Sequence, residues 1–445
     1  MDPSEIKKEA AHHLKNLIRV NTSNPPGNEM QAVNYLAAIA RENNLDYEIF
    51  ETYPGRGNIL IKIMSNQSEN PPLVMISHLD VVPADPEQWS IDPFAGLEQN
   101  GMIWGRGAID TKQLTVMQLM VLLLIKRRNF SPDRDIYLLA TADEETGSRL
   151  GMMSMIERVP QIFQNADVIS EGGGFPISVG SKVFYLCETG QKGTATLKFS
   201  FPRTPGSNPY LPDNDPILNC SQLILKLRDF QWPGKLPGAT LYLIDQLSSA
   251  CRIPTSLALM DRLNQIAKTV SPALLNLVTA MTRNTIAATV WNGGKRNGNS
   301  RYATELLVDV RILPGVDRAQ LESVILDLTF GLPVEAEITR FNLGYESNFT
   351  STLFSSLSNA IKNRFPSAEV VPFIATGASD GRFLQNFNAN VCGFSPVLIE
   401  DMTFEKAVSM VHGIDERISI ESLLFGIEVL YDAVTKRCQE KIYVQ

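Results

Sequence analysis

Cysteine and histidine are both scarce in this sequence. Five cysteines and four histidines are spread over 445 residues, and no two cysteines have the Cys-x-x-Cys spacing. An odd number of widely separated cysteines argues against a disulfide framework, and the missing Cys-x-x-Cys pairs argue against a zinc ribbon. We therefore expect neither a disulfide-stabilised fold nor a zinc-ribbon domain.

The sequence also lacks an excess of positive charge and any long apolar run. Its formal net charge is −8 and its pI is near 5.3, which argues against nucleic acid or an anionic membrane as a partner. The longest apolar run, residues 114–125, is interrupted by Gln118 and is too short to span a bilayer. Residues 1–8 lack the apolar region of a signal peptide, so we expect a cytoplasmic protein.

Three polar clusters in the first third of the chain each follow a short apolar run. They cover residues 77–80 with His78 and Asp80, residues 105–110 with Asp110, and residues 143–147 with Glu144 and Glu145. Short apolar runs of this kind predict buried strands. Carboxylates and an imidazole just past such runs lie at the carboxyl ends of strands, where open α/β sheets keep their functional sites.

The residue types in these clusters suit a metal site. Histidine nitrogen and carboxylate oxygen are ligands of zinc and of similar divalent ions. His78 and Asp80 lie two residues apart, so on a strand they share a face, and Asp80 is placed to accept the other ring N–H of His78. Glu144 and Glu145 are adjacent, so one can bind metal while the other stays free as a general base.

Taken together, these motifs resemble the M20 metallopeptidase family, which includes carboxypeptidases, dipeptidases, aminoacylases and deacetylases. The matching stretches are His78-Leu79-Asp80-Val81-Val82-Pro83, Gly105-Arg106-Gly107, Asp110-Thr111-Lys112 and Asp143-Glu144-Glu145-Thr146-Gly147-Ser148. The sequence from Trp104 to Ala108 resembles the branch of Gly-X carboxypeptidases and N-acyl amino acid hydrolases. Further matches as far as His412 extend the resemblance over nearly the whole chain.

The resemblance implies an α/β fold in two parts. A discontinuous catalytic domain, residues 1–192 and 345–445, would hold a zinc-exopeptidase-like, mostly parallel mixed sheet with helices on both faces. The alternation of predicted strands and helices agrees with such a sheet. An inserted α/β sandwich lid domain of the dimerisation type would span residues 193–344, with a helical enlargement at about 233–283. A homodimer through the inserted domain is part of this expectation.

The family pattern also assigns metal ligands. It places His78, Asp110 and Glu171 at one ion and Asp110, Glu145 and His412 at the other, with Asp110 bridging the two. Two divalent ions are therefore implied. Zinc is the expected metal, and cobalt or manganese would suit the same ligands.

Each of these residues also has a structural explanation. Asp110 could cap the helix predicted to begin near residue 111. The adjacent Glu144 and Glu145 could be a solvated loop pair, and Glu171 could be a surface acid. Isolated histidines are more often hydrogen-bonded structural residues than ligands. The joint pattern favours the metal-binding interpretation, because no cap or surface role explains why these residue types are grouped.

The same pattern predicts catalytic and substrate-binding residues. Glu144 is the expected general base, supported by Asp80. Asn297 and Arg311 match the Asn and Arg of the family's lid domain, and residues 377–382, with Gly377 and Ser379, resemble its Gly-x-Thr-Asp-x-Arg loop. An Arg can hold a substrate carboxylate by two hydrogen bonds. A surface ion pair of Arg311 and a simple glycine turn at residue 377 are the alternatives.

One residue of the family pattern is missing. Many members carry a lid histidine that stabilises the oxyanion, in a Gly-His-x-Ser-like stretch, whereas residues 204–210 here contain no histidine. Asn208 is the candidate substitute, because an Asn side chain can donate to an oxyanion. Losing one such donor typically costs on the order of 100–1,000-fold in rate. The substitution therefore bears on catalytic efficiency, substrate class and the lid-mediated dimer.

Two functions from different classes agree with these residues. The first is a dinuclear metal-dependent hydrolase that cleaves an amide next to a free carboxylate, in a small peptide or an N-acyl amino acid. The second is a metal-binding protein of the same fold that has lost efficient turnover and serves as a binding or scaffold module. Both predict that the five ligands converge on two metal positions. The resemblance also implies a cis peptide bond between Asp110 and Thr111.

Overall fold

The structure of the chain is a computed structural model that describes residues 2–66, 70–202, 215–232, 234–293 and 302–439. The α-helices are α1 (Pro3–Arg19), α2 (Glu29–Glu42), α3 (Lys112–Arg127), α4 (Met152–Arg158), α5 (Pro216–Asp229), α6 (Gly238–Ala250), α7 (Leu259–Ile266), α8 (Pro272–Ala280), α9 (Arg318–Thr329), α10 (Thr352–Arg364), α11 (Phe404–Met410) and α12 (Ile420–Arg437). Short 3-10 helices lie at Pro86–Gln88, Glu144–Thr146, Pro160–Phe163 and Asp380–Phe387.

The strands form one large sheet and two small ones. They are β1 (Asp46–Tyr53), β2 (Arg56–Ile63), β3 (Leu73–His78), β4 (Leu97–Gln99), β5 (Met102–Trp104), β6 (Ile136–Thr141), β7 (Asp167–Ser170), β8 (Pro176–Val179), β9 (Lys182–Gln191), β10 (Gly193–Pro202), β11 (Thr285–Gly293), β12 (Tyr302–Ile312), β13 (Glu335–Asn342), β14 (Tyr345–Glu346), β15 (Ala368–Ala375), β16 (Asn390–Gly393) and β17 (Arg417–Ser419).

The large sheet has the strand order β1-β2-β6-β3-β7-β16-β9-β14, and β8 and β15 also pair with β9. The pairs β6–β3, β3–β7 and β7–β16 are parallel and form the centre, whereas β1–β2, β2–β6 and β16–β9 are antiparallel. Every residue of β3 and of β6 is buried, as expected for strands covered on both faces.

Helices cover both faces of this sheet because successive side chains of its central strands point in opposite directions. In β3, Leu73 and Met75 pack with the helices α1, α2, α3, α10 and α12. Val74 and Ile76 pack on the other face with α4 and the segment after it. The apolar helix α3 is buried along residues 112–125, which is where a helix that is hydrophobic on all sides must lie. The predicted α/β architecture is confirmed.

The chain leaves the large sheet at the end of β9 and enters a four-stranded antiparallel sheet with the order β11-β12-β10-β13. In β10, Leu197, Phe199 and Phe201 point to one face, where they pack with α5 and α9. Helix α9 begins with a capping box formed by Asp317 and Gln320. The chain returns to the large sheet at β14, which pairs with the end of β9.

The helices α6, α7 and α8 lie in the range 233–283 that the sequence analysis described as a helical enlargement of the inserted domain. Their buried side chains, such as Leu243 and Leu247 of α6, form one cluster with Phe184 of β9 and with Val371 and Phe373 of β15. They therefore cover one face of the large sheet. The physical reason is that β9 and β15 present apolar side chains there, whereas α5 and α9 already cover one face of the small sheet.

A further small sheet, β17-β5-β4, joins the segment after residue 416 to the loop before Asp110. This pairing holds the late part of the chain beside the early polar clusters. Within the described ranges, none of the helices combines the length and apolar character that a membrane crossing requires.

Candidate functional site

The three sequence clusters and Glu171 meet at one edge of the large sheet. His78 is the last residue of β3, Glu144 follows β6 after a short turn, and Glu171 directly follows β7. Because β6, β3 and β7 are neighbouring parallel strands, their carboxyl ends lie side by side. This edge is where sites of open α/β sheets are found.

Five predicted ligands come together in two groups that share Asp110. In the first, Nε2 of His78 lies 3.1 Å from Oδ1 of Asp110 and 3.2 Å from Oε2 of Glu171. In the second, Nε2 of His412 lies 3.1 Å from Oδ2 of Asp110 and 3.2 Å from Oε2 of Glu145. Within each group the ligand atoms are all within 4.8 Å of one another.

The ring of His78 is oriented by Asp80. Nδ1 of His78 lies 2.9 Å from the backbone oxygen of Asp80, which can only accept, so Nδ1 donates and Nε2 keeps its lone pair for a metal. The sequence analysis gave this role to the Asp80 carboxylate, whose Oδ1 is more distant at 3.6 Å. The carboxylate is occupied by the backbone N–H groups of Glu144 and Glu145, each at 3.1 Å, and by the Asn24 amide.

The loop that carries Asp110 is held by Glu416, a residue to which the sequence analysis gave no role. The buried Glu416 carboxylate accepts backbone N–H groups from Gly107, Ile109 and Asp110 and a hydrogen bond from Arg106 Nη1 at 3.0 Å. Four donors on one carboxylate fix the loop immediately before α3. The Asp110–Thr111 peptide bond is cis, as predicted.

The surplus of carboxylates changes the pKa of both histidines. The Asp110 and Glu145 carboxylates accept hydrogen bonds from His412 and raise its pKa to about 10. Burial acts to lower the pKa of His78, but the carboxylates of Glu171 and Asp110 outweigh it and raise that pKa well above its usual value. Both shifts show a site with excess negative charge, and bound cations would neutralise it.

The residues present fit two divalent ions. Each group supplies one imidazole nitrogen and two carboxylates, a donor set that suits zinc and similar metals. Oε1 of Glu145 is buried and has no hydrogen-bond partner in the described part of the chain. Burying a carboxylate oxygen that has no hydrogen-bond donor is unfavourable, and a bound cation would compensate for this cost. The two oxygens of Asp110 each face one imidazole, so this residue is placed to serve both ions.

Glu144 lies beside the ligand groups but belongs to neither. Its Oε1 is 3.5 Å from Nη1 of Arg382, which also donates to the Ser379 backbone oxygen at 2.8 Å. Burial, followed by the nearby Glu171 carboxylate, raises the pKa of Glu144 well above its usual value. Arg382 was visible in the sequence only as the end of the 377–382 motif, without a role.

A cavity of about 440 Å³ opens onto both ligand groups. Asp110, Glu144, Glu171 and His412 line it, and so do Gly377 and Ser379, two of the predicted substrate contacts. The cavity wall also carries the apolar side chains of Phe175, Leu277, Phe373, Ala375, Phe404, Ala407, Val408 and Val411, together with the polar side chains of Thr111, Gln113, Glu188, Thr376 and Ser395.

Of the other predicted substrate contacts, Arg311 is the one that the structure describes, and it does not line this cavity. Arg311 lies on β12 of the inserted domain, where its Nε is 3.0 Å from Oδ2 of Asp309. This is the surface ion pair that the sequence analysis kept as the alternative. Asn208 and Asn297 lie outside the described residues.

Residues 74–436 match the family model "Peptidase family M20/M25/M40". The chain belongs to this family. Over 377 residues it is 26% identical to N-fatty-acyl-amino acid synthase/hydrolase PM20D1 of Xenopus tropicalis, covering 82% of this chain and 72% of that protein. It is 25% identical over 379 residues to the probable carboxypeptidase S-like 2 of Dictyostelium discoideum, covering 82% and 71%.

A solved M20 structure has the same fold. The M20 family metallo-carboxypeptidase Sso-CP2 from Sulfolobus solfataricus aligns with a TM-score of 0.69 at 16% identity, over 98% of this chain and 99% of that one. Membership of the M20 family and the two ligand groups make this chain a metal-dependent hydrolase of carbon–nitrogen bonds. The family resemblance inferred from the sequence is confirmed.

The Glu144→Gln variant should keep its metal and lose most of its activity, because an amide cannot take up a proton. A loss on the order of 100–10,000-fold in kcat is expected. His78→Ala is the contrasting variant and should lower the metal content itself. Metal content by atomic absorption and hydrolysis rates on the same preparations separate the two effects. Parental kcat in Glu144→Gln would place the base elsewhere.

The Glu416→Gln variant should weaken metal binding, because its amide group would present N–H donors to the loop's own N–H donors. A decrease of about 10–100-fold in metal affinity is typical when a residue that orients a ligand is changed. Glu421→Gln is the matched control, since Glu421 lies nearby on α12 and pairs with Lys7 at the surface. Competition with a metal chelator measures the affinity. Equal affinity in Glu416→Gln and the parent would contradict this role.

Proposed function

We propose that this chain is a dinuclear zinc hydrolase that cleaves N-acyl amino acids at the amide next to a free carboxylate. The observation that carries the proposal is the cavity, in which Glu144 and both ligand groups share one wall with many apolar side chains. An apolar wall suits an acyl group better than a peptide, whose backbone polar groups would lack partners there. The similarity to a protein named as an N-fatty-acyl-amino acid synthase/hydrolase supports the same substrate class.

In the proposed mechanism, His78, Asp110, Glu145, Glu171 and His412 hold the two ions. When bound, such ions polarise a substrate carbonyl and lower the pKa of water. The proton is transferred by Glu144, which lies outside both ligand groups.

Glu144 takes the proton of the attacking water and then passes it to the leaving amine. Its backbone is fixed by the Asp80 carboxylate, and its side chain lies against Arg382. These contacts limit the rotation of the carboxylate, so that it stays directed into the cavity. A binding module without turnover has no use for such a restrained base, and this favours the hydrolase over the scaffold alternative.

Zinc is proposed because of the composition of the two ligand groups. Each pairs one histidine nitrogen with carboxylate oxygens, whereas magnesium and calcium sites use oxygen ligands alone. Cobalt and manganese accept the same donors. To rank zinc, cobalt and manganese, the metal is removed, each ion is added back separately, and the hydrolysis rate is measured.

We extend the proposal to a homodimer that forms through the inserted domain. The strand β11 is at the edge of the four-stranded sheet and presents the exposed side chains of Val290 and Trp291. An exposed edge strand with large apolar side chains is a surface that a second copy would cover. Light scattering should give a dimer mass for the parent and a monomer mass for Val290→Lys. A monomeric parent would remove this part of the proposal.

A substrate panel tests the proposed activity. We expect the zinc-loaded protein to hydrolyse N-acyl amino acids more efficiently than dipeptides that share the same C-terminal amino acid. Matched N-acyl amino acid amides are the control, since they keep the scissile bond and lack the free carboxylate. Release of the free amino acid is measured. Preference for dipeptides would make the chain a peptidase, and no release from any compound would favour the binding module.

A further inference from the structure

Helix α11 carries one apolar stripe that leads directly to a metal ligand. Phe404, Ala407 and Val408 have the spacing i, i+3 and i+4, which places them along one face of α11, and Val411 directly follows the helix. All four line the cavity, and the next residue is His412. Over these seven residue steps the stripe is about 10 Å long, at roughly 1.5 Å per residue.

A second wall faces this stripe. Leu277 of α8 and Phe373 of β15 line the same cavity, and both belong to the core formed by α6–α8 on the large sheet. The Ser271 hydroxyl, which caps α8, also donates a hydrogen bond to the Glu405 carboxylate of α11. Helices α8 and α11 are therefore held next to each other, and the part of the cavity that they line is continuous with the part that the ligand groups line.

We propose that this space, the α8–α11 channel, holds an aliphatic acyl chain and sets the chain-length preference of the enzyme. The proposal rests on the proposed function, because it assigns the acyl half of the same substrate. The acyl carbonyl would lie at the end of the channel beside Glu144 and His412, with the alkyl chain running along α11 away from the ligands.

The exposure of the channel residues supports this occupant. Val408 is 53% exposed although it lies on the same helix face as the fully buried Ala407. An exposed valine beside a cavity gains free energy when an alkyl chain covers it. The gain grows with the number of covered methylene groups, by about fourfold in affinity for each.

A chain-length series measures this dependence. The substrates are the acetyl, hexanoyl and decanoyl derivatives of the amino acid that gives the highest kcat/KM. In the parent, kcat/KM should rise by about fourfold per methylene until the channel is filled. Val408→Asp should lower the decanoyl-to-acetyl ratio of kcat/KM by about fivefold or more, because the chain would then cover a charged group.

Leu326→Asp is the matched control. Leu326 is an exposed residue of α9 in the inserted domain, so the same change of charge is made away from the channel. Its decanoyl-to-acetyl ratio should equal the parental ratio. Because Val408 is itself exposed, Val408→Asp should fold, and its thermal unfolding is compared with that of Leu326→Asp.

A binding measurement separates this inference from the proposed activity. Calorimetry on the zinc-loaded protein should show that decanoate binds more tightly than acetate, and that Val408→Asp but not Leu326→Asp abolishes the difference. Equal kcat/KM for acetyl and decanoyl substrates would overturn the channel and leave the hydrolase intact. Decanoate binding that depends on Val408, without hydrolysis of any N-acyl amino acid, would support the channel and overturn the proposed function.

Discussion

The two oxygens of Asp110 face two imidazoles, His78 and His412, each at a distance of 3.1 Å. One imidazole ends a central strand of the large sheet, and the other follows a helix near the end of the chain. Both ligand groups therefore depend on where a single carboxylate lies. That position is set by Glu416, which binds the backbone of the loop around residues 107–110 through several hydrogen bonds.

Much of the site could be predicted from the sequence because its signals are local. His78, Glu145 and Glu171 follow apolar runs that form neighbouring strands, and such runs are visible without knowing the fold. The roles of Glu416 and Arg382 could not be predicted in this way. Both act through contacts with residues far away in the sequence, and a single glutamate or arginine has no local pattern that identifies its partner.

The placement of helices α6–α8 shows a second limit of the sequence. Apolar residues at helical spacing predict that a helix has a buried face, but they do not identify the surface that it covers. The helices could have packed on either of two sheets. They pack on the large sheet, where β9 and β15 present apolar side chains. This packing bears on function as well as fold, because α8 contributes Leu277 to the cavity.

Each ligand group combines residues from distant parts of the chain, and this has a thermodynamic consequence. One ion would bind His78, the other would bind His412, and Asp110 would contact both. The two ions would therefore act as a reversible crosslink between the end of β3 and the segment that follows α11. Such a crosslink forms only in the native arrangement, so its contribution to the free energy of unfolding grows with the concentration of free metal. Since His412 follows α11 after one residue, the same crosslink would also hold the end of that helix in place. Metal supply would thereby affect the shape of the α8–α11 channel.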